Sequence, residues 1–216
     1  SYALASLPAA GTAGRLARVT DDNRGLRTDT GAIWSAKGRI FYAEDSDISP
    51  SRTAAQNLAA WNILKGAIPS TGAEIIFPHG TIQFSGPIDL TESSGNAPIW
   101  VHGAGPFATT ISIVGGSGHG FDLTGGNYRK ISDMTVQADA VGLKAGVLMA
   151  RDSSGRESSF NRLERLRIIN GSNDWDSSLY MYGAESNVVD HVILAGLMPL
   201  VSTGTNHLSY TSTFRT

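Results

Sequence analysis

The sequence contains no cysteine and is poor in charged residues, which make up 17% of it. Without a thiol the chain has no disulfide framework, no thiolate metal site and no cysteine nucleophile. Its 17 Lys and Arg nearly balance its 19 Asp and Glu, for a net charge of −2. This balance disfavours nucleic acid and anionic membranes as partners. No apolar run reaches the roughly 18 residues of a membrane span, so we expect no membrane insertion.

The 216 residues are 41% hydrophobic, which excludes intrinsic disorder and predicts one domain, or one domain with an appendage. The chain begins at Ser1 without methionine and without the pattern of a signal peptide. We therefore expect the numbering to start inside a longer or processed chain.

Residues 1–40 favour a small β appendage. Residues 15–20 and 26–34 are candidate strands, and the turn between them contains Asn23 and Gly25. A single hairpin is only marginally stable in water, so this one needs a neighbour. A copy of itself from another chain would cover Leu26, Ile33 and Trp34.

Residues 41–72 form a linker that contains one helix. Thr53 and Gln56 fit a capping box, and an apolar stripe follows at Leu58, Trp61 and Leu64. Gly66 predicts the end of the helix. Burial of Trp61 in the core is the expected outcome.

Residues 73–216 carry a repeated strand pattern. Segments 131–136, 163–168 and 189–194 each place apolar residues at relative positions 1, 4 and 6. A second set of short strands precedes them at 121–123, 147–149 and 179–181 and continues at 200–202. The residues predicted to stack inside the repeat are Ile131, Met134, Val136, Leu163, Leu166, Ile168, Val189, Val192 and Leu194.

The separations within this repeat are uneven, at 32 and 26 residues and then 19 to Leu208, where the pattern continues weakly. A constant strand pattern with variable spacing is typical of solenoid coils, in which insertions leave on one side. Residues 151–160 and 170–178 are the two clearest inserted loops. A β-sandwich is an alternative, but it would favour hairpin turns over a repeated two-strand unit.

Residues 73–82, Ala-Glu-Ile-Ile-Phe-Pro-His-Gly-Thr-Ile, resemble the start of the pectate-lyase-like right-handed parallel β-helix superfamily. The alanine-rich segment 54–64 and the Gly-x-Gly segment 99–111 fit the same family. The Asp-Gly-x-x-Asp-Asp stretch usual before the helix is missing. The resemblance implies a mostly β chain: a right-handed, single-stranded parallel β-helix, a short helix leading into it and an N-terminal β-hairpin appendage.

Residues 7–22 are similar to appendages that precede β-helices in bacteriophage tailspikes and tail fibres. Proteins of that kind are homotrimers that bind, and often cleave, bacterial surface polysaccharide. The resemblance implies a homotrimer, attachment to a phage tail or baseplate protein through the N-terminal region, and a location in the virion. Residues 73–216 would then be the first coils of a longer β-helix.

Residues 173–176, Asn-Asp-Trp-Asp, are the main catalytic candidates. Asp174 and Asp176 would lie roughly 6–7 Å apart on an extended segment, within the range for the two carboxyl groups of a glycosidase. Trp175 would offer an aromatic face to a sugar ring. The alternatives are a surface turn with Trp175 packed on the coil, and a Ca²⁺ site that uses both aspartates.

Asp133, Arg165 and His191 occupy equivalent repeat positions, so stacked coils would align them about 4.8 Å apart. They would form either a groove that binds an anionic sugar or a ladder of mutually paired charges. We expect no metal and no cofactor. The five histidines lack helical metal-site spacing, and neither glycine-rich stretch matches a nucleotide loop.

Two functions therefore compete. One is a tailspike or tail-fibre subunit that binds host polysaccharide and, if it is an enzyme, cleaves it as a hydrolase or lyase. The other is a non-enzymatic adaptor that links the tail to a distal receptor-binding part.

Overall fold

The computed structural model describes residues 16–18, 26–29, 34–36, 40–91, 97–116, 118–195 and 198–203, with side chains for those between 40 and 195. The chain is mostly β, with 42% of residues in strands, and most strands pair in parallel. The described helical elements are a 3-10 turn at Ala43–Ser46 and one helix, α1, at Ala54–Gly66.

Sixteen strands make up the described β structure. In chain order they are β1 Leu16–Arg18, β2 Leu26–Asp29, β3 Trp34–Ala36, β4 Ile40–Tyr42, β5 Ala73–Ile76, β6 Gly80–Phe84, β7 Ile88–Asp89, β8 Ile99–His102, β9 Thr109–Ile113, β10 Phe121–Asp122, β11 Arg129–Ala138, β12 Ala145–Ala150, β13 Arg162–Asn170, β14 Ser177–Tyr182, β15 Val188–Leu194 and β16 Met198–Thr203.

The strands form two sheets between which the chain alternates. The first sheet runs β1-β2-β3-β4-β5-β8-β11-β13-β15, and β6 and β9 pair beside it. The second runs β16-β14-β12-β10-β7. Pairing is parallel from β4 onward in both sheets. Long crossovers between parallel neighbours bring residues about 30 positions apart side by side, which is how distant side chains meet on the surface.

The N-terminal strands β1 to β4 pair with one another antiparallel, whereas the later strands pair in parallel. Strands β1 and β2 pair antiparallel, as the hairpin prediction requires, and the turn predicted between them lies outside the described residues. The structure adds two further antiparallel pairings, β2 with β3 and β3 with β4, and β4 joins the parallel part through β5. The appendage is thus a four-stranded meander continuous with the first sheet, rather than one separate hairpin.

The register of β11, β13 and β15 confirms the repeat found in the sequence. Ile131 lies opposite Leu163, which lies opposite Val189, and the other two apolar positions align in the same way. The second sheet likewise aligns Phe121, Val147 and Leu179. The core residues Ile131, Met134, Val136, Leu163, Leu166 and Ile168 are almost fully buried, Val189 is buried, and Val192 and Leu194 are partly buried.

Each long strand of the first sheet bends at a residue in the left-handed backbone region. The three bend residues are Asp133, Arg165 and His191, with φ of 59°, 49° and 52°. β8 pairs with β11 before this bend, and β9 pairs with β11 after it. The bend therefore divides the first sheet into two faces at an angle to each other.

Helix α1 begins at the predicted capping box and ends at Gly66, as predicted. Gln56 N–H donates to Thr53 Oγ1 (3.3 Å) and Thr53 N–H donates to Gln56 Oε1 (3.0 Å), which completes the capping box. Trp61 is fully buried and donates its indole N–H to the carbonyl of Asp89 (3.2 Å). Its ring stacks on Phe77 with centroids 6.1 Å apart, so this one buried ring joins the helix both to β7 of the second sheet and to the segment that follows β5 of the first.

Candidate functional site

Three exposed aromatic side chains lie close together along the first sheet, and we call them the aromatic face: Trp100, Tyr128 and Phe160. Their exposed fractions are 51%, 46% and 55%. Trp100 points outward because it alternates with Ile99 and Val101 on β8, which are buried. The aromatic face is apolar surface that the fold keeps in contact with solvent.

Tyr128 and Phe160 stack directly, with ring centroids 5.4 Å apart and planes inclined by 10°. Both have left-handed backbone conformations, with φ of 58°. Bulky residues seldom adopt this conformation, so the surrounding hydrogen bonds must hold it. Tyr128 directly precedes β11, and Lys130 two residues later lies opposite Trp100. The stacked pair therefore lies where the chain enters β11 and β13, next to the strand that carries Trp100.

A shallow groove of about 210 Å³ lies at the Trp100 end of the aromatic face. Ile40, Ala73 and Pro98 form its apolar walls, and Glu74 lines it together with Trp100. The Glu74 carboxylate lies 2.9 Å from Nε2 of His102. A carboxylate beside an exposed indole gives the groove both a hydrogen-bond acceptor and an apolar surface.

The charged side chains around the aromatic face pair with one another across strands. Lys130 Nζ lies 3.0 Å from the Glu164 carboxylate and 5.7 Å from the centre of the Trp100 ring. Arg162 lies 3.1 Å from Glu164 and 3.8 Å from Asp190. Burial alone would raise the pKa of Glu164, but the hydrogen bond from Lys130 and the nearby guanidinium groups lower it. This network is charge-balanced.

Asp133 and Arg165 are brought together, as their repeat positions predicted. Arg165 donates from Nε (2.6 Å) and Nη2 (2.8 Å) to the two carboxylate oxygens of Asp133 and also contacts Glu164. The guanidinium hydrogen bonds lower the pKa of Asp133, and the same bonds raise the pKa of Arg165. His191 lies at the next equivalent position, but its Nδ1 contacts Asp190 (2.6 Å). These side chains form a ladder whose charges are paired with each other.

The loop of residues 170–178 departs from the prediction at Trp175. Its side chain is 0% exposed, and its indole N–H donates to the carbonyl of Ile169 (2.9 Å). A buried ring offers no face to a sugar, so the expected exposed platform is corrected to a core anchor. Bulk and apolarity favoured burial, which the alternative of a packed tryptophan had included.

The two aspartates of this loop remain at the surface. Asp174 is exposed, and Asp176 is partly buried with its carboxylate 3.0 Å from Lys144 Nζ. Asp176 precedes β14 in the second sheet, whereas Asp133 and Arg165 lie on the first. The predicted site residues are therefore divided between two sheets, and the loop and the charged ladder are separate regions.

The sequence analysis missed the aromatic face. Alternation within 99–101 was enough to place Trp100 outside, but the stacking of Tyr128 on Phe160 depends on a crossover of 32 residues.

Within the described ranges, no group of three His, Asp or Glu side chains could hold a metal ion. No helix in the part of the chain that the structure describes is long and apolar enough to cross a bilayer.

Comparisons with known proteins give a single distant likeness to report. No protein-family model and no curated protein match the chain. A solved structure described as Geobacillus virus E2 ORF18 is similar, with a TM-score of 0.41 and 12% identity, over 85% of this chain and 59% of that chain. This neighbour is a phage protein, and the chain spans less than two thirds of its length.

Proposed function

We propose that this chain is part of a phage tailspike or tail-fibre subunit, built as a right-handed parallel β-helix, that binds host surface polysaccharide along the aromatic face. The observation that carries the proposal is the exposed cluster of Trp100, on β8, with Tyr128 and Phe160, in the bends just before β11 and β13. The resemblance of residues 73–82 to β-helix proteins and the parallel register of the repeat support the architecture.

Aromatic rings suit sugars because a pyranose presents C–H groups on its faces and hydroxyls around its edge. A rigid indole or phenyl surface covers the C–H groups at a low entropic cost. Glu74, His102 and Arg162 lie on the same outer surface and supply hydrogen-bonding groups for hydroxyls. Strands about 4.8 Å apart align these groups in a row, which suits an extended chain of sugar units.

The paired charges favour a neutral polysaccharide over an anionic one. An anionic ligand would have to displace Glu164 or Asp133 from the cations that they contact. A neutral sugar can accept and donate hydrogen bonds at the rim of the face without breaking those pairs. We therefore revise the expected ligand of Asp133, Arg165 and His191 from an anionic sugar to hydroxyl groups.

The test is a binding assay on a panel of bacterial capsular polysaccharides and O-antigens with Trp100→Ala. Loss of the indole should weaken binding about fivefold to tenfold, since an aromatic contact contributes about 1 kcal/mol or more. Tyr182→Ala is the matched control, because Tyr182 is similarly exposed (48%) but lies on the second sheet. Equal affinity of the parent and Trp100→Ala for every polysaccharide would contradict binding at the aromatic face.

Cleavage is a separate part of the proposal and involves Asp174 and Asp176. Both reach the surface next to the buried Trp175, which fixes the loop between them. Asp174→Asn and Asp176→Asn should each lower the release of reducing ends or of unsaturated product by at least about 10²-fold if the pair acts as acid and base. Unchanged rates in both variants would remove this loop from catalysis.

Trimerisation through residues 1–40 and attachment to the tail also belong to the proposal. The similarity of residues 7–22 to tail appendages supports both. Light scattering of the intact protein should give a trimer, and a monomer at micromolar concentration would contradict this assembly.

The paired charges also favour a second function, that of a structural adaptor in the tail. Ion pairs between strands hold the sheet together without a ligand, as the Lys130–Glu164 and Arg162–Asp190 pairs do. An adaptor would trimerise and bind the tail but bind none of the host polysaccharides. The same binding panel therefore distinguishes the two functions.

A further inference from the structure

A second recess lies on the outer side of the second sheet, away from the aromatic face. It is a cleft of about 420 Å³, within the range of about 300–1,000 Å³ for small-molecule sites. Residues just before β10, β12 and β14, together with outward positions of β12 and β14, form it. Its lining includes His119, Lys144, Ala145, Leu148, Asp176 and Tyr180.

The floor of the cleft is apolar. Leu148 on β12 and Tyr180 on β14 lie directly opposite each other, and their side chains point outward because the neighbouring Val147 and Leu179 are fully buried. A phenol ring beside an isobutyl group makes a patch about the width of two strands. Such a patch covers the C–H face of a ring-shaped ligand.

The rim of the cleft carries one ion pair. Lys144 Nζ lies 3.0 Å from Asp176 Oδ2, and both side chains remain about half exposed, at 59% and 49%. The pair is therefore accessible to a ligand, and its two charges cancel. Together the ammonium group donates and the carboxylate accepts hydrogen bonds within one small area.

His119 adds a polar group that the fold leaves unsatisfied. Its Nδ1 is buried and finds no hydrogen-bond partner among the described residues. Burial lowers the pKa of His119 below its usual value of 6.5, so the ring is neutral at pH 7. Because Nδ1 is buried, it is out of reach of a ligand in the cleft, and His119 lines the cleft as one of its walls.

We infer that this cleft is a binding site for a single neutral pyranose unit. Leu148 and Tyr180 cover one face of the sugar ring, the Lys144–Asp176 pair binds adjacent hydroxyls, and His119 forms a wall of the site. An anionic sugar is disfavoured because Asp176 already balances the charge of Lys144. This site is independent of the polysaccharide binding proposed for the aromatic face. It shares Asp176 with the cleavage proposed for the loop of residues 170–178, but binding of a methyl glycoside requires no cleavage and is measured separately from it.

The test uses the full chain in saturation-transfer NMR and titration, with the methyl glycosides of glucose, galactose and mannose as neutral probes and methyl glucuronide as the acidic probe. At least one neutral glycoside should bind, and Tyr180→Ala should weaken it about fivefold. Tyr182→Ala, two residues along the same strand, should leave the affinity unchanged. Trp100→Ala should also leave it unchanged, which separates this site from the aromatic face.

Asp176→Asn provides a second variant on a loop, where folding is not at risk. It leaves the Lys144 charge unbalanced, so the affinity for methyl glucuronide relative to the neutral glycoside should rise about fivefold or more. The inference is overturned if no neutral glycoside gives saturation transfer, if Tyr180→Ala binds as well as the parent, or if the parent prefers the glucuronide. An unchanged preference in Asp176→Asn would also overturn it.

Discussion

Two corners of the first sheet use the same backbone conformation but differ in what holds it. One corner contains Tyr128, Phe160 and Ser186, and the other contains Asp133, Arg165 and His191, all with φ between 49° and 59°. In each corner the three residues are equivalent positions on successive crossovers. A left-handed conformation is unfavourable for such side chains, so each corner needs compensating interactions.

The first corner is held from inside by buried amide groups. Asn161 Oδ1 accepts from the amide N–H of Arg129 (2.8 Å), and Asn187 Oδ1 accepts from the amide N–H of Asn161 (2.8 Å). The Asn161 side chain also donates to the carbonyl of Gly126 (3.0 Å). Arg129 is itself buried and donates from Nε to the carbonyl of Leu90 (2.9 Å). Each of these asparagines thus satisfies a backbone group of the preceding strand connection.

The second corner carries ion pairs on its outer side. The Arg165 side chain that contacts Asp133 is 47% exposed, and water and salt weaken such a pair. Beneath it, Met134 and Leu166 are buried against each other in the core. The difference teaches that the charged corner depends on the packing below it, whereas the first corner depends on its own hydrogen bonds.

The largest effect should come from the packing below the charged corner. Leu166→Ala removes a fully buried side chain between Met134 and Val192 and should lower the free energy of unfolding by about 2–5 kcal/mol. Chemical denaturation followed by circular dichroism measures it. Ile193→Ala is the control, since Ile193 is 54% exposed on the same sheet and should cost well under 1 kcal/mol. Equal effects of the two variants would contradict the register.

A smaller but clear effect should come from the first corner. Asn161→Ala leaves the amide N–H of Arg129 and the carbonyl of Gly126 without their buried partner, at a cost of roughly 1–3 kcal/mol. Asn173→Ala is the matched control, because its side chain makes only a 3.4 Å contact with Ser172 in an exposed loop. The same denaturation experiment compares them, and a cost for Asn161→Ala no greater than for the control would refute the role of the buried amides.

Much of the parallel core could be predicted because its signal is local. Apolar positions within six-residue segments fixed the register of β11, β13 and β15, and the capping box fixed the start of α1. The meander at β1–β4 was only half predicted, because strands of three or four residues carry little periodicity. Pairing of β4 with β5 spans the linker and helix, which no local pattern encodes.

The candidate sites were harder to predict because they depend on contacts between crossovers. The pairing of Asp133 with Arg165 followed from the repeat, but the preference of His191 for Asp190 depends on side-chain geometry. The composition of residues 173–176 suggested an exposed tryptophan, whereas the side chain of Trp175 is buried in the core. The cleft combines His119 with Tyr180, two segments whose proximity appears only when strands are assembled.

The smallest effect should come from the ion pair at the charged corner, and it should depend on pH. The hydrogen bonds from Arg165 lower the pKa of Asp133 below its usual 3.8, so the pair stabilises the fold above that pH and loses its contribution as the pH falls through the lowered value. Asp133→Asn keeps a residue that tolerates the left-handed region and removes only the charge. Because the pair is partly exposed and Glu164 also contacts Arg165, the variant should lose no more than about 1 kcal/mol at pH 7. Once the pH has fallen below the lowered pKa of Asp133, the parent and the variant should unfold at the same denaturant concentration. A difference that persists there, or one at pH 7 as large as that of Leu166→Ala, would mean that the ion pair and not the packing holds this corner.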